Sequence, residues 1–222
     1  MQMRTHFKEN DLLSGEIQQI NINGSINIQT RNLKYGKLKN GILLKVNHML
    51  VKKTKHHFID LIDDIKAILG LNGIIWVYFS TVVIQDEYFN DDKTKIDLLN
   101  KDEKPDYYSS ILIVLFKNII KSLDEYDILI IRENILKYYN LFIDNFHKGI
   151  KKEDKTEYKK IAIISKEQEE VIIGMLKEEI NKENAKKQKQ KKENEKEKEK
   201  NKLQFKNKKK DNFEIDDMEL ES

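Results

Sequence analysis

The chain has 222 residues, 36% of them charged, with a net charge of +3 and no cysteine. That length suits one or two small domains with a real core. The missing thiols exclude disulfides, thiolate zinc sites and cysteine nucleophiles.

The opening MQMRTHFKEND lacks the apolar core of a signal peptide. The longest apolar run, Ile111 to Phe116, is far short of the ~20 residues that cross a bilayer. A soluble, intracellular protein is expected. LLSGEIQQI and SINIQTR then read as two short strands joined by Asn23-Gly24, with partial period-two alternation through Ile17, Ile20, Ile26 and Ile28. RNLKYGKLKNG is basic and too punctuated by glycine for a helix, and GILLKVNHMLVKK reads as extended.

IDLIDDIKAIL leads into Gly70-Leu71-Asn72-Gly73, and IIWVYF beyond it is a β-branched and aromatic strand. A Gly-x-x-Gly loop can clamp a nucleic-acid backbone in KH domains. Asn-Gly between apolar runs is equally a hairpin signal. The bulky flanks Ile68-Leu69 and Ile74 to Val77, and the absence of Lys or Arg inside the loop, favour a tight turn with Asn72 and Gly73 at positive φ.

Residues 85–106 are polar, acidic and end near Pro105, the only proline, so they read as an excursion loop. In YYSSILIVLFKNIIKSL, Ile111, Leu115, Ile119 and Leu123 recur one helical turn apart beside Leu112, Phe116 and Ile120, which predicts a helix packed on a sheet. YDILIIREN reads as a short buried strand, and ILKYYNLFIDNF as a helix through Ile135, Tyr139 and Phe142. After the charged linker KGIKKEDKTEYKK, Ser165 opens a further helix with Glu167 and Glu169 in its first turn.

That helix fades into a tail of uneven charge. Residues 182–210 carry 14 Lys and 5 Glu, residues 211–222 carry six acids, and 1–181 sum to zero. Such a tail buries too little apolar surface to offset its chain entropy, so it is expected to be disordered or a lone solvated helix. Its lysines suit phosphate without sequence preference, or serve only solubility. Strands first, then mixed strands and helices, predict an α+β protein.

No Gly-x-Ser-x-Gly, P-loop or dinucleotide fingerprint occurs. The acid pairs Asp63-Asp64 and Asp91-Asp92 fit solvated turns better than the converging carboxylates of a metal nuclease, and His56-His57 has no third ligand at a metal-site spacing. No catalytic set, metal site or cofactor is expected. Two basic clusters are better candidates for RNA contact: Arg31, Lys34, Lys37 and Lys39 around Tyr35, and Lys52, Lys53, Lys55, His56 and His57. Amines on phosphate with an aromatic on a base suit single-strand binding. Ordinary solvated surface fits the same lysines.

TRNLKYGKLKNG, VKKTKHHFIDL and ILGLNGIIWVY, in this order and with these gaps, resemble the ribosomal RNA-processing protein 4 family of eukaryotic RNA exosome cap subunits. The resemblance is strong over about residues 3–80, weaker to about 180, and leaves the tail outside. It implies the C-terminal part of an S1-type OB barrel over 1–40, a KH-type domain over 41–180 with a polar insertion at 85–106, and a Lys/Glu-rich disordered tail over 181–222. The family's N-terminal domain and first barrel strands have no counterpart, and a barrel remnant cannot close its edges, so the expectation is an incomplete reading of a longer protein, with a remnant that leans on a neighbour as the alternative.

The resemblance further implies a noncatalytic subunit that stabilises a ring of RNase PH-like proteins beside other cap subunits. It would guide single-stranded RNA to a separate nuclease for 3′ to 5′ processing and decay, including ribosomal RNA maturation, in nucleus, nucleolus and cytoplasm, with no membrane. Arg31, Lys34, Tyr35, Lys37, Lys52, Lys53 and Lys55 would contact RNA. Gly70, Asn72, Gly73 and Trp76 would form a structural turn between the S1 and KH parts. The alternative is a free-standing module for single-stranded RNA.

Overall fold

The amphipathic hairpin near the start shows how local pattern becomes structure. In the computed structural model, which describes residues 7–30, 35–54, 57–81, 104–148, 160–188 and 190, β1 (Leu13–Ser14) precedes β2 (Glu16–Ile20) and β3 (Ile26–Gln29). β2 and β3 are antiparallel around a turn with Gly24 at φ 81°. Ile17 and Ile20 are three apart, which should put them on opposite faces. A bulge between Ile17 and Gln19 corrects this, so Ile17 pairs with Ile28 and Ile20 with Ile26. One face of the ribbon is thereby all isoleucine, and these four side chains are 52–67% exposed. The other carries Glu16, Gln19, Asn27 and Gln29.

β4 (Gly36–Lys37) pairs with β1 in a separate two-stranded ribbon. After it, β5 (Gly41–Lys45), β6 (Phe58–Asp60), β7 (Ile65–Leu69) and β8 (Ile74–Phe79) form an antiparallel sheet in the order β5-β8-β7-β6. Strand alternation puts Ile65, Ala67, Leu69, Ile75, Val77 and Leu44 on one face, all buried. That face receives α1 (Tyr107–Glu125), which packs on β5, β7 and β8. The predicted stripe from Ile111 to Leu123 is buried along its length. Each such side chain contributes roughly 1.5–3 kcal/mol of transfer free energy. Asp106 caps the helix, its carboxylate accepting the Ser109 N–H at 2.8 Å.

The opposite face of the sheet carries two cross-strand rows, Phe58–Ile68–Trp76–Leu43 and Asp60–Lys66–Tyr78–Gly41. Gly41 is required by contact: a Cβ there would lie 2.8 Å from the Trp76 ring and 2.4 Å from the Val77 carbonyl. Lys66 is buried, and its ammonium reaches the Asp60 carboxylate at 3.3 Å.

Three local expectations are corrected. GILLKVNHMLVKK is extended only to Lys45; Asn47 then caps a short 3-10 turn over His48–Leu50 by accepting the Met49 N–H. YDILIIREN is not a strand. Asp127 reverses the chain at φ 55°, Ile130 makes a single parallel bridge to Val51, and α2 (Arg132–Phe146) begins at once. Along α2 the buried stripe is Ile135, Tyr138 and Phe142; Tyr139 is half-buried and stacks on Phe116 at 5.4 Å.

α3 (166–188) starts where expected. Ser165 Oγ accepts the Gln168 N–H at 3.3 Å while Gln168 Oε1 accepts the Ser165 N–H at 3.1 Å, a reciprocal cap. The chain divides into two units, Met1–Ile172 and Ile173–Ser222. The second begins inside α3, and its described residues, 173–188 and 190, are helical. Helix therefore occupies 181–188, the start of the segment expected as tail. The remaining tail, most of the 85–106 insertion and the Asp91-Asp92 pair lie outside the described residues. The expected α+β class is borne out.

Candidate nucleic-acid interface

Gly70 to Gly73 close the β7–β8 hairpin. Gly73 donates its N–H to the Gly70 carbonyl at 3.0 Å, and Gly70 donates to the Ile74 carbonyl at 3.0 Å. Gly73 has φ 78°, whereas Asn72 is not among the residues with positive φ, which corrects the sequence reading. The loop is a three-residue turn with its left-handed residue last, so Asn72 needs no left-handed backbone. It acts through its side chain, whose Oδ1 accepts the Ile74 N–H at 3.0 Å. The Gly73 carbonyl accepts the Val46 N–H at 2.8 Å, and Gly73 itself is buried. With strands on both sides and the two glycine amides spent inside the turn, this geometry does not present an open phosphate clamp. Trp76 lies in β8, 8% exposed, beside Gly41.

The cationic candidates divide into distinct settings. Arg31, Lys34 and Lys55, with His56, lie outside the described residues. Lys37, in β4, is ion-paired at 2.7 Å with Asp11, a partner no local pattern announced. Lys52 and Lys53 follow the Val51 bridge, are exposed, and pair with no acid among the described residues. Tyr35 is half-buried, its ring 5.8 Å from that of Phe58 in an edge-on contact at 61°. This contact brings Tyr35 to edge strand β6. Phe58 is the residue that sequence reasoning missed; its place after His57, at the start of an alternating strand, was the available signal.

The carboxylates do not converge. Asp63 sits in the β6–β7 turn at φ 50° and accepts the Tyr108 hydroxyl at 3.1 Å, fixing the start of α1 to that turn. Among the described residues, no group of three His, Asp or Glu could hold a metal ion. No helix among them is long and apolar enough to cross a membrane.

An antiparallel sheet closed by a Gly-x-Asn-Gly turn and backed by a helix is the setting in which a family model of the KH domain matches, over residues 41–82. The span runs from β5 through β8, so the KH class rests on the sheet itself.

Individual relatives narrow this class. The chain is 49% identical over 77 residues to Exosome complex component rrp4 of Schizosaccharomyces pombe, covering 35% of this chain and 23% of that protein. It is 49% identical over 76 residues to Exosome complex component RRP4 of Bos taurus, covering 34% and 26%. With the Saccharomyces cerevisiae protein of the same name it shares 44% over 77 residues, covering 35% and 21%. The resemblance read from the sequence is borne out over this third of the chain. The matched block spans about a quarter of the length of these curated relatives.

Proposed function

We propose that the chain is a noncatalytic subunit of an RNA exosome, seated as a cap on a ring of RNase PH-like proteins. It stabilises that ring and guides single-stranded RNA toward a nuclease held by another subunit, in 3′ to 5′ processing and decay that includes ribosomal RNA precursors. The nucleus, nucleolus and cytoplasm are the compartments this role requires.

The observation that carries the reading is the block of 76–77 residues shared at 44–49% identity with relatives named as exosome components. The geometry is consistent with it. The Gly70–Gly73 turn is used for packing, and exposed amines at Lys52 and Lys53 suit backbone contact without base readout.

Affinity purification of the tagged protein from its own cells tests the proposal. RNase PH-like subunits should co-purify in near-equal amounts. Recovery of RNA without them would replace the cap reading by the free-standing module. Degradation of single-stranded RNA by the pure protein with Mg²⁺ or Mn²⁺, lost on changing Asp63 and Asp64, would replace it by a nuclease.

A further inference from the structure

A parallel bridge joins two segments that lie far apart in the chain. Val51 stands opposite Ile130, and the Ile130 N–H donates to the Leu50 carbonyl at 2.8 Å. Both bridge residues are buried. The two segments run the same way, so the residues just past the bridge emerge at the same end: Lys52 and Lys53 on one, Ile131 and Arg132 on the other. Val51 and Ile131 are extended, and neighbouring strands lie about 4.8 Å apart. Lys52, Lys53 and Arg132 are each no more than two residues, about 7 Å of chain, beyond the bridge. All three are exposed. The Arg132 side chain is fixed at its stem, where Nε donates to the Asp60 carbonyl at 2.7 Å. Among the described residues its two terminal nitrogens have no acceptor, and no carboxylate pairs with Lys52, Lys53 or Arg132. Acids are scarce here: 46–54 holds none, and 128–137 holds only Glu133. The Asp60 carboxylate is on the Lys66 ammonium, and the Asp124 carboxylate accepts the Asn47 N–H at 2.8 Å.

We infer that Lys52, Lys53 and Arg132 form one phosphate-binding site for a single-stranded RNA backbone, with Arg132 as a contact that sequence reasoning did not single out. The inference rests on the RNA-guiding role proposed above and deepens it. Three cations gathered around a single free acid repel one another in the unbound protein, and a polyanion relieves that repulsion. The anchored stem of Arg132 leaves the terminal edge of its guanidinium for a bidentate contact with phosphate. Holding the stem in advance removes part of the side-chain ordering that binding otherwise costs. The two lysines are flexible point charges, which follow a backbone without selecting a base.

The test is the salt dependence of binding of a labelled oligouridine to the full chain, with urea unfolding of each variant measured beside it. For single strands the slope of log affinity against log salt is about −0.7 per phosphate. Lys52→Ala and Lys53→Ala should each flatten that slope by about 0.7 at unchanged stability. Arg132→Gln should flatten it by the same amount. Arg132→Lys loses the tie to Asp60 as Arg132→Gln does, yet keeps the charge, and should keep the slope. The Lys-rich residues 182–210 contribute equally in every variant. Should Arg132→Gln fail to fold, the double lysine variant carries the test, with a flattening of about 1.4 expected. Equal flattening in Arg132→Lys and Arg132→Gln, at equal loss of stability, would overturn the site by showing Arg132 to be a structural tie alone. Unchanged slopes in all the variants, with binding by the unaltered chain intact, would overturn the site and leave the RNA-guiding role standing. Loss of co-purifying proteins in those same variants would then assign the surface to an acidic partner protein. Absence of salt-dependent binding by the unaltered chain would overturn the role and the site together.

Discussion

Val46 donates its backbone N–H to the Gly73 carbonyl at 2.8 Å, and a Cβ on Gly73 would lie 2.4 Å from the Val46 carbonyl. The turn is thus docked on the segment that follows β5. Gly73→Ala places a side chain at φ 78° against backbone that cannot retreat. It should lower stability by at least about 1–3 kcal/mol, the usual cost of such a backbone state. Asn72→Ala loses only the side-chain acceptor for Ile74 and should cost about 1 kcal/mol. Asn72→Asp keeps that acceptor. Urea midpoints rank the three variants, and RNA affinity per folded molecule should stay constant. A binding defect at unchanged stability would contradict the packing role.

Asp11 and Lys37 make a pH-sensitive tie across the first ribbon, where Leu13 faces Lys37. The Lys37 ammonium, then the Lys8 backbone N–H, hold the Asp11 carboxyl below its ordinary value of 3.8. A lowered folded-state value contributes stability that is present above about pH 4 and lost as pH falls through the folded value. NMR titration of the Asp11 carboxyl should therefore show an inflection below 3.8, and Lys37→Ala should move it up toward that value. An inflection unmoved by Lys37→Ala would show that the pair is incidental.

Tyr78 is governed by the opposite sign. Burial, with the Asp60 carboxylate adding to it, pushes its hydroxyl from 10.0 up to about 12. Burial pushes Tyr138 to about 12 as well. Because the folded values lie above the unfolded one, the associated stability is intact below pH 10 and lost as pH rises through 12. Ultraviolet titration should resolve a late tyrosinate phase that shrinks in Tyr78→Phe and again in the double variant with Tyr138→Phe. A single phase centred at the ordinary value would refute the burial of both rings.

The isoleucine face of the β2–β3 ribbon is open in this structure, with Ile17 58% and Ile28 67% exposed. Threonine keeps the β-branched shape that strands favour. Ile17→Thr and Ile28→Thr should therefore change stability by no more than ~0.5 kcal/mol, while lowering fluorescence of an apolar dye bound to the chain. A loss of well over 1 kcal/mol would show that the face packs against the rest of the protein.

Much of this molecule was legible from its chain. The hairpin around Asn23-Gly24, the strands on either side of Gly70–Gly73, the buried stripe of α1 and the start of α3 at Ser165 are set by patterns within a few residues. Alternation, turn chemistry and helical period act at that range. What the chain alone did not yield depends on contacts between distant segments. The bulge that gathers four isoleucines on one face belongs to the pairing of two strands, and so does not show in either. Ile128 to Ile130 are as apolar as a strand, but the bridge to Val51 leaves no further partner, so α2 begins instead.

The candidate interface was legible as composition and not as arrangement. Its lysines and Tyr35 could be counted in the sequence, whereas their partners could not. Asp11 lies 26 residues before Lys37 and Phe58 lies 23 after Tyr35. Ion pairs and ring contacts of that separation form only when sheet order brings two segments to one place. Only the folded chain settled which cation is tied to an acid, which aromatic ring is already engaged, and why Gly73 must be glycine.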